Sequence, residues 1–232
     1  MKLNIIPFIF ARGDSKGIKN KNLLKFNKTT LLGNAILQAK KINYVKQIFV
    51  STDSIKISKE ALKYKAQVPF IRPKHLSRDT SPEIYAWRHA VDFLHNKLDI
   101  FPDYIVSVPT TSPLRRISDI NKCLSLAIKD KLDMVFAITN SHKNPYFNML
   151  IEKKGKLQIV LKKNKKISRR QDAPKSFDLT TVCYVFKPNY IKNNSNLFSG
   201  KVGYVYVPKP RALDIDDKWD YRIATSLNKY YV

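Results

Sequence analysis

LNIIPFIFARGDSKGIKNKN, Leu3–Asn22, sets a nearly unbroken apolar run against a loop that gathers Arg12, Lys16, Lys19 and Lys21 around Gly13 and Gly17. The run, residues 3–10, is apolar nearly throughout and so reads as a strand buried on both faces, the habit of a parallel sheet. In open sheets of that kind ligands bind beyond the carboxyl ends of the strands, which is where the loop falls. Its glycines let backbone N–H groups turn toward an anion, and its cations add charge. Cations so placed would also stabilise charge developing on a pyrophosphate leaving group. The loop is neither a G-x-x-x-x-G-K-[ST] Walker loop nor a G-x-G-x-x-G turn. On these residues alone a solvated basic loop is the competing reading.

Outward from this loop the pattern alternates. Residues 31–42 place Leu31, Leu32, Ala35, Ile36, Ala39 and Ile42 on one helical face. A strand at 45–51, a helix at about 54–65 and a short strand at QVPFIR (67–72) follow. Ser81 and Pro82 suit an N-cap and first turn, opening a helix whose face carries Ile84, Trp87, Val91, Leu94 and Leu98. Strand 103–108, a helix over 118–131 capped by Ser118 and strand 133–139 complete the alternation. Repeated β-α units imply an α/β fold, with a Rossmann-like, doubly wound and mostly parallel sheet. The chain, 1–232, reads as a single domain. Residues 140–176, polar and lysine-rich with β-prone pieces at 147–152 and 157–161, read as a lid or dimerisation excursion within it. Segments 182–186 and 202–207 return to sheet character, and a final helix from about Asp217 carries Trp219, Ile223 and Leu227. Trp87 and Trp219 are both expected in the core.

Net charge is +25, from 43 basic and 18 acidic residues, which favours polyanionic partners. The lysines are spread along the whole chain, and no base-stacking pattern of the RNA-recognition type accompanies them, so no nucleic-acid partner is expected. Cys123 and Cys183 stand far apart in apolar surroundings, as buried free thiols in a reducing, cytoplasmic setting do. MKLNIIPFIFA is interrupted by Asn4 and Pro7 and is not read as a leader. No run has the length of a membrane span. The four histidines form no metal spacing, and none is given a catalytic role.

Six segments carry a resemblance in the same order. ARGDSKGIKNKNL (11–23) resembles the A-R-G-G-S-K-G-I-x-x-K-N-L signature of the acylneuraminate cytidylyltransferases, the CMP-sialic acid synthetase family. STDS (51–54), VPFIRPKHLSRDTSPE (68–83), TTSPLR (110–115), SRRQDAPKSF (168–177) and LDIDD (213–217) are similar to that family's further motifs in register. The resemblance implies transfer of CMP from CTP to the anomeric hydroxyl of a 2-keto sugar acid, with release of pyrophosphate, by a homodimer using Mg²⁺. It implies phosphate contacts for Arg12, Ser15, Lys16 and Lys21, with Lys16 or Lys21 stabilising the transition state. Asn22, Arg72, Thr111 and Ser112 would lie on the nucleotide, and Arg170, Gln171 and Tyr184 on the sugar acid.

Asp214 and Asp216 would hold the metal, Asp216 counting among the catalytic residues. Read as a strand, their i, i+2 spacing puts two hard oxygen ligands on one face; Asp216 or Asp217 equally suits capping of the final helix. Arg72, before Pro73, reads as a base or ribose contact or as an exposed strand-end arginine. Arg170 reads as a carboxylate fork or as a salt bridge across a dimer arm. Pro109 stands where many family members carry a cytosine-facing glutamine. Thr180 and Thr181 replace an asparagine and a glycine, and Phe147 a lysine, so the sugar half of the site departs most, and the acceptor is read as a nonulosonate or related 2-keto sugar acid, with N-acetylneuraminate itself left open. The alternatives are another sugar nucleotidyltransferase of the same fold, such as one for 3-deoxy-octulosonate, and a nucleic-acid-binding protein.

Overall fold

Side chains of the first strand, β1 (Ile5–Phe10), alternate between two cores: Ile5 and Ile9 face one, Ile6, Phe8 and Phe10 the other. Both faces are therefore apolar, and both must be covered. The computed structural model describes residues 3–161 and 167–231, so part of the 140–176 excursion, 162–166, lies outside the described residues.

After β1 come a two-residue hairpin, β2 (Lys25–Phe26) and β3 (Thr29–Thr30), then α1 (Leu31–Ala39), β4 (Phe49–Ser51), α2 (Ile55–Lys63) and α3 (Glu83–Leu98). Next are β5 (Tyr104–Ser107), α4 (Ile117–Lys129), β6 (Met134–Asn140) and a hairpin of β7 (Leu150–Lys153) with β8 (Lys156–Ile159) inside the excursion. The chain closes with β9 (Phe177–Phe186), α5 (Pro188–Asn193), β10 (Val202–Tyr206) and α6 (Lys218–Tyr231). Six strands form one sheet in the order β10-β6-β9-β5-β1-β4. β1 runs parallel to β4 and β5, and β10 parallel to β6. Only β9 is reversed, antiparallel to both neighbours. The sheet is thus mostly parallel and doubly wound, as the alternation implied.

Apolar residues of α1, α2 and α4 (Leu32, Ala35, Ile36, Ile57, Ala61, Ile120, Leu124) pack on one face. Trp87, Ala90, Val91 and Leu94 of α3, with Tyr190 and Ile191 of α5, cover the other. A third cluster ties the basic loop after β1 to the C-terminal helix: Ile18, Phe26, Leu31, Leu114, Ile215 and Ala224.

Several local expectations change. QVPFIR contributes only isolated bridges, Gln67 to Phe49 and Ile71 to Thr52. Ser81 does not cap α3; its hydroxyl donates to the carbonyl of His75, and Pro82 takes the cap position with no side-chain bond. Ser118 lies inside α4, whose start is instead fixed by the Asp119 carboxylate accepting from the Arg116 N–H at 3.0 Å. Trp219 is 66% exposed, because α6 buries Ala224 and Asn228 instead. Cys123 and Cys183 are buried free thiols.

Candidate active site

A cleft of about 270 Å³ opens beyond the carboxyl ends of β1 and β5 and is lined by Arg12, Ser15, Lys21, Asn22, Arg72, Thr111 and Thr181, among others. The loop that supplies its basic wall is tied down at several points. Asn22 is buried; its Nδ2 donates to the Arg12 carbonyl at 2.8 Å, and its Oδ1 accepts from the Thr110 hydroxyl at 2.5 Å. The Gly13 N–H donates to Asp53 Oδ1 at 2.8 Å. A loop held this way keeps its cations in place before any anion arrives, which limits the ordering needed on binding.

Lys21 joins the loop to the aspartates. Its Nζ donates to the Ile215 carbonyl at 2.7 Å and lies 3.9 Å from Asp216 Oδ1. The Ile215 N–H in turn donates to the Thr111 carbonyl at 2.9 Å. Gly17 permits the approach, since a Cβ there would sit 1.9 Å from the Asp216 carbonyl oxygen. Asp214 and Asp216 are not in a strand; they lie in an irregular segment between a short 3-10 turn and α6. The capping alternative falls to Asp217, whose Oδ1 accepts from the Trp219 and Asp220 N–H groups. Asp216 stays open to solvent, yet desolvation by the adjoining backbone and the like charge of Asp214 raise its carboxyl above the ordinary range.

Asp214 Oδ1 is buried with no hydrogen-bond partner. Such an atom is costly unless something compensates it, and a hard cation does. Among the described residues no three His, Cys, Asp or Glu side chains gather as a metal-binding group. Two carboxylates alone suit Mg²⁺, which retains waters and takes phosphate oxygens.

Arg72 is buried, not an exposed strand-end residue. Its Nε donates to Ser77 Oγ at 2.9 Å, and burial is the main cause that lowers its guanidinium from the usual range. Thr111 and Ser112 meet Thr181, at 3.3 and 2.7 Å between hydroxyl oxygens. Thr181 reaches them because the β6–β9 register slips between Phe136↔Tyr184 and Ile138↔Leu179, the slip being bridged by the Thr180 hydroxyl on the Ala137 carbonyl. Irregularities of this kind re-aim side chains beside sites.

The sugar-side residues are not gathered with the others. Arg170 and Gln171 line a second cavity of about 560 Å³ with Asn144, Lys175 and Phe177. The Arg170 guanidinium donates to the Ser141 and His142 carbonyls at 2.8 and 3.2 Å. Tyr184 is buried against Trp87 and Phe136, and burial raises its phenol pKa strongly. Lys16 does not line the cleft; its side chain is 77% exposed and reaches Asp79 at 3.5 Å.

Three acids carry site geometry that the sequence reading left without a role: Asp53, Asp79 and Glu83. Asp79 pairs with Arg12 at 2.5 Å and Lys16 at 3.5 Å. All three lie within or at the end of segments already singled out for their order. An acid directly after a strand end (Asp53) or within the basic 68–83 segment was the available signal.

The chain matches the model of the cytidylyltransferase family over residues 5–193. It is 33% identical over 97% of its length to the post-translational flagellin modification protein B of Campylobacter coli, covering 95% of that protein. It is 32% identical to the CMP-N,N'-diacetyllegionaminic acid synthase of Campylobacter jejuni, over 96% of this chain and 94% of that one. In fold it is similar to a CMP:2-keto-3-deoxy-manno-octonic acid synthetase solved with CTP, at a TM-score of 0.73 and 11% identity, with 99% of this chain and 100% of that one covered. Motif order, cleft and relatives agree, and the chain belongs to the cytidylyltransferase family of enzymes.

Proposed function

We propose that this enzyme transfers CMP from CTP to the anomeric hydroxyl of a nonulosonic acid, releasing pyrophosphate. The observation that carries the reading is the junction of two segments nearly two hundred residues apart, where Lys21 bonds the Ile215 carbonyl and draws the basic loop onto the Asp214–Asp216 segment. Cations for the phosphates and carboxylates for a metal then share one rim.

In the reaction the anomeric oxygen forms a bond to the α-phosphorus, the α–β phosphoanhydride bond breaks with its electron pair leaving on pyrophosphate, and the hydroxyl proton passes to solvent. Arg12, Ser15 and Asn22 hold or shape the phosphate end, and Lys16 and Lys21 offset the charge that develops on the leaving pyrophosphate. Asp214 and Asp216 are the proposed Mg²⁺ ligands, with the orphaned Asp214 Oδ1 supporting the choice. Bound there, the ion would neutralise phosphate charge and make the attacking hydroxyl more acidic. Arg72, Thr111 and Ser112 are proposed for the nucleoside end. Arg170 and Gln171 are proposed for the sugar acid; Tyr184, buried against Trp87 and lining neither cavity, is given no contact with it.

A homodimer is proposed through the excursion, whose hairpin leaves Leu150, Ile151 and Leu157 exposed; exposed apolar groups gathered on one element mark contact surfaces. Two unpaired buried thiols suit a cytoplasmic location. A melting scan with Mg²⁺ and each nucleoside triphosphate tests the nucleotide: CTP is expected to raise the midpoint most. Pyrophosphate release with a panel of 2-keto sugar acids tests the acceptor, and absence of release with every nonulosonate tried would overturn the proposal.

A further inference from the structure

Glu83, the first residue of α3, is the only carboxylate side chain lining the 270 Å³ cleft among the described residues. Its neighbours along the wall are cationic: Arg12, Lys21, Arg72 and Arg78. No ion pair engages it among the described residues. A negative charge in a cleft built for a triphosphate weakens binding of that triphosphate, so its presence calls for a ligand group that needs it.

The cleft is divided in chemistry. Arg12, Ser15, Lys21 and Asn22 form one end, where the loop amides and cations suit phosphate. Phe10, Ala86 and Pro109 give apolar wall, and Arg72 and Glu83 bring a donor and an acceptor to the same cleft. An apolar slot with one donor and one acceptor is a base-binding arrangement. Arg72 has spent its Nε on Ser77, which leaves its terminal N–H groups to donate. Cytosine presents two acceptors, O2 and N3, and one donor, the 4-amino group; uracil presents a carbonyl at position 4 and an N–H at position 3. A carboxylate accepts from the cytosine amine and repels the uracil carbonyl. Glu83 is exposed to the open cleft, and what desolvation it meets raises its carboxyl above the ordinary range, against the opposing charge of Arg72.

We propose that Glu83 accepts the 4-amino group of cytosine and, with Arg72 on the acceptor edge, sets the preference for CTP over UTP. The inference rests on the cytidylyltransferase reading above. It supplies a side-chain reader of the base in a chain that carries Pro109 where a glutamine is common in the family.

The test compares wild type, Glu83→Gln and Glu83→Ala with CTP and UTP at saturating and at varied sugar acid, alongside thermal protection by CDP and UDP, which needs no turnover. In Glu83→Ala the CTP/UTP ratio of kcat/KM is expected to fall at least about tenfold, by loss of CTP with UTP unchanged or improved. Protection by CDP is expected to fall toward that by UDP. Glu83→Gln, which keeps an acceptor oxygen, is expected to retain part of the preference. An unmoved ratio in folded, active Glu83→Ala overturns the inference alone, as does a rise confined to the KM for the sugar acid, which would place Glu83 on the acceptor side. A wild type that neither melts higher with CTP nor releases pyrophosphate overturns the underlying reading as well.

Discussion

Arg12 Nη1 lies 2.5 Å from Asp79 Oδ1, and Lys16 Nζ approaches the other carboxylate oxygen at 3.5 Å. A carboxylate bridging the two loop cations occupies the place proposed for a phosphate. Asp79→Asn removes the competitor. Both partners are about a third exposed, so solvent screening limits the pair to about 1 kcal/mol or less. The KM for CTP is therefore expected to fall, by up to about fivefold, with kcat little changed. A higher KM in steady-state assays would mean instead that Asp79 holds Arg12 in its working position.

Lys16 and Lys21 differ in surroundings, and their alanine variants should differ too. Both are expected to lose turnover by orders of magnitude at unchanged CTP saturation. Lys21 is only 14% exposed at its side chain and bonds the Ile215 carbonyl. Lys21→Ala should therefore also destabilise the fold, by about 1–3 kcal/mol for an acceptor left without its donor. Lys16→Ala should leave denaturant midpoints unchanged. Equal stability losses in the two variants would contradict this division.

Gly17→Ala probes the loop against the aspartate segment. The added carbon would overlap the Asp216 carbonyl, so the two segments must separate. Misplacement of about 1 Å costs roughly 10²-fold in rate, and kcat/KM is expected to drop by about that much while circular dichroism stays native. Wild-type rates would show that the contact yields freely.

Asp214→Asn addresses the proposed Mg²⁺ site. Without metal the substitution changes a carboxylate that has one oxygen buried without a hydrogen-bond partner and lies near a second carboxylate. The metal-free variant is expected to melt higher than wild type, by roughly 2–4 °C if about 1 kcal/mol is relieved. It should also lose the added stabilisation that Mg²⁺ gives together with CTP. A lower melting point without metal, with Mg²⁺ dependence intact, would place the metal elsewhere.

How far these residues were legible depended on what kind of signal they carried. Helical spacing identified α1 and α3 through Leu32, Ile36, Trp87 and Val91 because their faces are buried as continuous stripes. The six-residue α5, starting at Pro188, is too short to show a period. Trp219 was misplaced because an aromatic at helical spacing does not reveal that its helix packs through a small residue, Ala224. At the site, glycine and lysine order located the loop. The strand assumed for Asp214 and Asp216 failed because two alternate acids fit an irregular backbone as well. Asp79 and Glu83 gain meaning only from what faces them across the cleft, which no local pattern encodes.

β9 begins at Phe177 on the wall of the second cavity and four residues later delivers Thr181 to the first, across the register slip. One reversed strand is thus common masonry to both chambers. Chimaeras that exchange acceptor preference between related synthases would have to carry Phe177–Phe186 across whole. A crossover inside the slip would join two incompatible registers and turn Thr181 away from Thr111 and Ser112.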